Sequence, residues 1–188
     1  PRIVEQPHDV QHRFYRRILA LPRPPLSTAD LLVALHTVER DQERPALREV
    51  LAAVEICTTM PEYTREVAAV VLQQLSDVRP VPALFLRTII KAVERFVDLR
   101  SYAVELLGRL LTRGVWDNDL LREGWIRAAK LLQPLSLRVV VSMSLEMVQE
   151  LCQADPSWRE KLIEHCRRGK SAGSVRLREW LGLGVAGV

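Results

Sequence analysis

Prolines and helix-capping residues punctuate this sequence at short, regular intervals, and between them apolar residues recur three and four positions apart. That rhythm predicts short α-helices joined by short loops. Asp9 is placed to cap a first helix over 10–21, which Pro22-Arg23-Pro24-Pro25 ends. Ser27 or Thr28 then caps a helix bearing Leu31, Leu35 and Val38 on one face, with Asp30 at its dipole-favoured start. Pro45 suits the first turn of the next, where Leu47, Val50, Leu51 and Val54 recur at i, i+3, i+4 and i+7. Thr64 opens a fourth, with Ala68, Val71, Leu72 and Leu75 inward.

Pro80 and Pro82 begin a segment running to about residue 97. Its polar positions, Arg87, Lys91 and Glu94, form only a narrow stripe, which predicts a helix packed on two sides. Ser101 begins a further helix and Gly114 ends it. Asp117 or Asn118 caps one carrying Leu121, Trp125, Ala128 and Leu132, with Glu123, Arg127 and Lys130 on its wet face. A short helix over 137–141, a Ser144-capped helix and one started by Pro156 complete the count. The expected fold is all-α, an irregular HEAT-like stack of antiparallel helical hairpins with about ten helices. A compact bundle is the alternative, since no strict sequence repeat is visible. The expected organisation is an N-terminal helix and Pro-rich linker over 1–26, a helical domain over 27–168, and a loose basic tail over 169–188, within which 175–183 can dock as a further turn or two.

A chain of 188 residues, 48% hydrophobic and 27% charged, fits one globular domain. No apolar run approaches the ~20 residues of a membrane-spanning helix, so no membrane partner is expected. Lacking an initiator Met, the chain reads as cut from something longer. Cys57, Cys152 and Cys166 are too scattered for a disulfide framework and read as buried thiols of a reducing compartment.

Catalytic signatures are missing. His8 and His12 have the i,i+4 spacing of a zincin pair, but Pro7 puts His8 at a helix end and no third ligand follows. His165 and Cys166 are adjacent, so a helix splays them about 100° apart, out of nucleophile–base reach. No catalytic, cofactor or metal residues are therefore expected. A basic cluster, Arg167, Arg168, Lys170, Arg176 and Arg178, raises an RNA-binding alternative, although only Trp180 is there to stack on a base. Trp116, Trp125 and Trp158 suit either core or interface, with core the stronger reading. Arg87 either forms an internal pair or reaches into a groove.

Five segments carry a family resemblance: Leu31-Leu32-Val33-Ala34-Leu35-His36, Glu66 through Leu75, Pro80 through Ile90, Val115-Trp116, and Glu123-Gly124-Trp125-Ile126-Arg127. In order and spacing, from Ser27 to about Arg167, they resemble the C-terminal domain of the symplekin family. The position after Gly124 is Phe in that pattern and Trp here. The resemblance implies a nuclear, non-catalytic scaffold of pre-mRNA 3′-end cleavage and polyadenylation. Its implied partners are the C-terminal domains of the cleavage endonuclease subunit and of that subunit's inactive relative, with the cleavage stimulation factor as a further contact. A groove between successive hairpins is the expected docking surface, with Gln73 and Gln74 of one helix and Arg87 and Lys91 of the next at its rim.

Overall fold

Helix starts in this chain are written by hydroxyl and amide side chains. Ser27 accepts a hydrogen bond from the Asp30 amide at 3.1 Å, and the Asp30 carboxylate accepts one from the Ser27 amide at 3.3 Å, a reciprocal capping box. Thr64, Asn118, Ser144 and Ser174 likewise accept from amides three residues on. The computed structural model describes residues 3–19, 21, 25–38, 47–169 and 173–183. Among these it shows eleven α-helices and no strand: α1 (His8–Leu19), α2 (Thr28–Thr37), α3 (Leu47–Thr59), α4 (Arg65–Asp77), α5 (Phe85–Arg95), α6 (Arg100–Leu111), α7 (Asp119–Leu131), α8 (Leu137–Val140), α9 (Leu145–Ala154), α10 (Ser157–Arg168) and α11 (Val175–Trp180). Short 3₁₀ turns at Ile3–Glu5, Val97–Leu99 and Val115–Asp117 precede α1, α6 and α7.

Packing follows two rules. Consecutive helices meet as hairpins, α2 with α3, α4 with α5, α6 with α7, α9 with α10. Helices two apart also meet, α1 with α3, α2 with α4, α5 with α7, α6 with α8, α8 with α10. Odd- and even-numbered helices therefore form two layers. Polar ties cross the remaining joints within a layer: Arg95 near the end of α5 donates to the carbonyls of Thr58 and Met60 at the end of α3, and Lys130 near the end of α7 reaches Asp155 at the end of α9 at 2.6 Å. Helices two apart thus run the same way and neighbours run antiparallel, giving the all-helical stack of hairpins.

The core runs between the layers. Helix α5 buries Phe85, Leu86, Thr88, Ile89, Ala92 and Val93 and packs against α4, α6 and α7, as its narrow polar stripe predicts. Trp125 and Trp158 are fully buried and Trp116 is 5% exposed, so the tryptophans serve the core. Trp116 and Trp125 meet edge to face at 5.5 Å, and the Trp125 indole donates to the Leu107 carbonyl.

One local expectation is corrected. Helix α1 starts at His8, and Asp9 sits inside its first turn, paired with Arg13 at 2.9 Å instead of capping. Of the two caps foreseen for α7, Asn118 is the one used. The helix expected over 137–141 is α8, and the Ser136 hydroxyl before it donates to the Ala129 carbonyl at 2.5 Å and ties α8 back to α7. Pro45 and Pro22 to Pro24 lie outside the described residues.

The two ends also belong to the stack. Tyr15 and Leu19 of α1 are buried, and α1 packs on α3. At the other end, α11 buries Leu177, and Leu181 after it, so 175–183 docks as the further turns foreseen. Gly173 permits this. Its φ of +88° turns the chain back, and a Cβ there would come within 3.1 Å of Leu177.

Candidate protein-docking site

Three helices of the odd layer, α3, α5 and α7, turn stripes outward that converge. On α7 the stripe is Leu120, Glu123, Gly124, Arg127 and Leu131, at i, i+3, i+4, i+7 and i+11. On α5 it is Leu86, Arg87, Ile90, Lys91 and Glu94, and on α3 it is Leu47, Arg48 and Leu51. Together they line an open groove of about 720 Å³, with α5 as floor and α3 and α7 as walls.

The lining is aliphatic and partly in water. Leu47 is 41% exposed, Leu120 53% and Leu131 36%, a concentration of exposed leucine on one face. Gly124 makes the floor close-fitting: a Cβ there would lie 3.0 Å from the Leu86 Cβ, so α7 approaches α5 at backbone distance. Among the described residues, no aromatic side chain lines the groove.

Charge is placed along the rim. Arg87 pairs with Glu55 of α3 at 2.5 Å, both side chains being nearly half exposed. Of the two places foreseen for Arg87, the groove is the one it takes, and its pair with Glu55 lies at the surface instead of inside the core. Arg127 pairs with Glu123 one turn back on α7 at 2.5 Å. Such exposed pairs contribute roughly 0–1 kcal/mol each and leave the rim adaptable. Among the described residues, Arg48 and Lys91 have no carboxylate within ion-pairing distance.

The expected site is only half assembled. Arg87 and Lys91 line this groove, but Gln73 and Gln74 lie elsewhere, on α4 of the even layer, beside Val70, Leu99 and Tyr102. There Gln73 accepts from the Tyr102 hydroxyl at 2.5 Å, bridging α4 and α6. The reason is topological. Sequence-adjacent helices face each other through the core, so a surface groove forms between helices two apart, not between α4 and α5. Leu120 and Leu131 of α7 are not legible as site residues in the sequence, because Glu123 and Arg127 mark their face as a wet one. The only signal was Leu120 and Leu131 recurring on that wet face.

Of the other candidates, His8 is exposed and His12 half-buried on α1, and no group of three or more metal-ligating side chains gathers among the described residues. Burial raises the Cys57 thiol to about 12, and burial raises Cys152 and Cys166 as well. In the basic cluster, Arg168 pairs with Glu164 and Arg178 donates to the Cys166 carbonyl, holding α11 against α10. Lys170 lies outside the described residues.

No solved structure matches this chain. A protein family described as "Symplekin tight junction protein C terminal" matches it over residues 1–154. The match takes in α1, which the sequence resemblance left out, and ends with α9, short of the Arg167 expected. Spanning α1 to α9 and both sides of the groove, it establishes that the chain belongs to the symplekin C-terminal family.

Proposed function

We propose that this chain is a scaffold domain of the pre-mRNA 3′-end cleavage and polyadenylation machinery, acting in the nucleus by docking other proteins and not by catalysis. Its partners are the C-terminal domains of the cleavage endonuclease and of its inactive relative, with the cleavage stimulation factor as a further contact. The observation that carries the docking role is the α3–α5–α7 groove, where leucines stand in water although the core is complete without them. Arg87 and Lys91 act at its rim. Gln74, on the even layer, belongs to a separate contact over Val70 and Leu99.

Co-expression with the C-terminal domains of the endonuclease pair, followed by size-exclusion chromatography, tests the assignment. Co-elution as one species is expected, weakened about tenfold or more in affinity by Arg87→Glu with Lys91→Glu. Gln74→Ala should weaken binding of only one partner. Separate elution of a folded, helical chain sinks the endonuclease assignment. A tagged chain found at cell borders in place of the nucleus sinks the nuclear one.

A further inference from the structure

The groove specifies more than a place of contact. Helices α3, α5 and α7 run the same way, so its walls are straight and parallel. From Leu120 to Leu131 the α7 wall runs about 16 Å, or three helical turns. A straight trough of that length, floored by aliphatic side chains, fits a rod with one apolar stripe. An added β-strand has nothing to pair with, because the backbone donors and acceptors along these walls are spent within helices. A nucleic acid has no aromatic platform to stack on.

Charge decides the flanks. Among the described residues the lining carries four cations, Arg48, Arg87, Lys91 and Arg127, against two carboxylates, Glu94 and Glu123. Arg87 and Arg127 are engaged by Glu55 and Glu123. That leaves Arg48 on the α3 wall and Lys91 on the floor helix without a carboxylate partner among the described residues. A ligand whose apolar stripe is edged by acidic residues fills the groove and meets both cations.

We infer that the α3–α5–α7 groove binds an acidic amphipathic α-helix of about three turns, with leucine-like residues at i, i+4, i+7 and i+11 and carboxylates flanking that stripe. This rests on the docking reading above and adds the chemistry of the occupant. The leucines seat on Leu86, Ile90 and Leu131, and the carboxylates reach Arg48 and Lys91.

The test titrates the 188-residue chain into three fluorescein-labelled peptides of about 18 residues, followed by polarisation. One has Leu at the stated spacing flanked by Glu. The second replaces each Glu by Lys, and the third replaces each Leu by Ser. The acidic peptide is expected to bind about tenfold or more tighter than either control, and more weakly as salt rises. The surface double variant Arg48→Glu with Lys91→Glu, checked for unchanged melting, should lose that preference or reverse it.

Equal binding of acidic and basic peptides overturns the inference, as does unchanged acidic-peptide affinity in the double variant. Displacement of the peptide by a single-stranded RNA of about 12 nucleotides overturns it too, assigning the groove to nucleic acid. The chromatography above separates the two proposals. A complex that survives the double variant while no acidic peptide binds keeps the scaffold role and discards this occupant. Peptide selectivity without an endonuclease complex does the reverse.

Discussion

His36, 2% exposed, links α2 to Thr88 of α5 and is engaged at both ring nitrogens. Nδ1 lies 2.7 Å from the Leu32 carbonyl, which can only accept, so Nδ1 carries the hydrogen. Nε2 lies 2.7 Å from the Thr88 hydroxyl, so in the neutral ring Nε2 accepts from Thr88, which shares its hydrogen with the Leu84 carbonyl at 3.3 Å. Burial, the largest influence, lowers the His36 pKa from 6.5, outweighing the Leu32 hydrogen bond that raises it. The unfolded chain therefore takes up a proton below pH 6.5 that the folded chain resists. Stability attributable to this residue is complete above that value and declines as pH falls through it. Thermal melts from pH 7.5 to 5.5 should show Tm falling with acid, less steeply in His36→Asn. Thr88→Val leaves a buried nitrogen without its donor and should cost about 1–3 kcal/mol at pH 7.5 by urea unfolding.

At the scale of the helix, the stack depends on how closely elements approach and how their ends are closed. Arg95 closes α3 from a distance of more than thirty residues in sequence, donating to the Thr58 and Met60 carbonyls while its guanidinium lies 5.6 Å from the Tyr63 ring centre. Helix α7 meets α5 through Gly124, where the nearest neighbour is the Leu86 Cβ, an atom tied to the backbone. Gly124→Val should force the two helices apart and destabilise the chain by about 1–3 kcal/mol, read as a lower urea midpoint with an unchanged slope. Gly124→Ala should cost less, because the gain in helix propensity of about 1 kcal/mol offsets part of the crowding. A Gly124→Val variant as stable as the parent would mean that close approach is not needed at this joint.

Across the whole molecule, the family match and the structural unit do not end together. The match stops at residue 154, yet Trp158, Leu162 and Cys166 of α10 are fully buried, and α10 packs on both α8 and α9. Removing residues 155–188 strips that side of the stack of its cover and opens Val148 and Leu151 to water. A chain of residues 1–154 should melt well below the full chain and with less cooperativity, or aggregate, in circular-dichroism scans. Equal melting of the two would make α10 and α11 dispensable appendages.

Much of this was legible in the residues. The all-α class, most helix starts and the inward faces follow from apolar spacing, proline positions and Ser, Thr or Asn caps, because each of these acts within about four residues of chain. Burial of the tryptophans and of the three cysteines was legible for the same reason, as was the two-sided packing of α5. Local chemistry misled where a capping residue had a competing partner, as Asp9 has in Arg13. What only the tertiary structure decided is which stripes share a surface. Gln73 and Arg87 stand on consecutive helices, yet hairpin packing sends those helices to opposite layers and brings Arg87 instead to Glu55 and into line with Leu120 and Leu131. The pairing of His36 with Thr88, 52 residues apart, is of the same kind. Periodicity reports which face of a helix is apolar, while the neighbour that face meets depends on how every hairpin between them stacks.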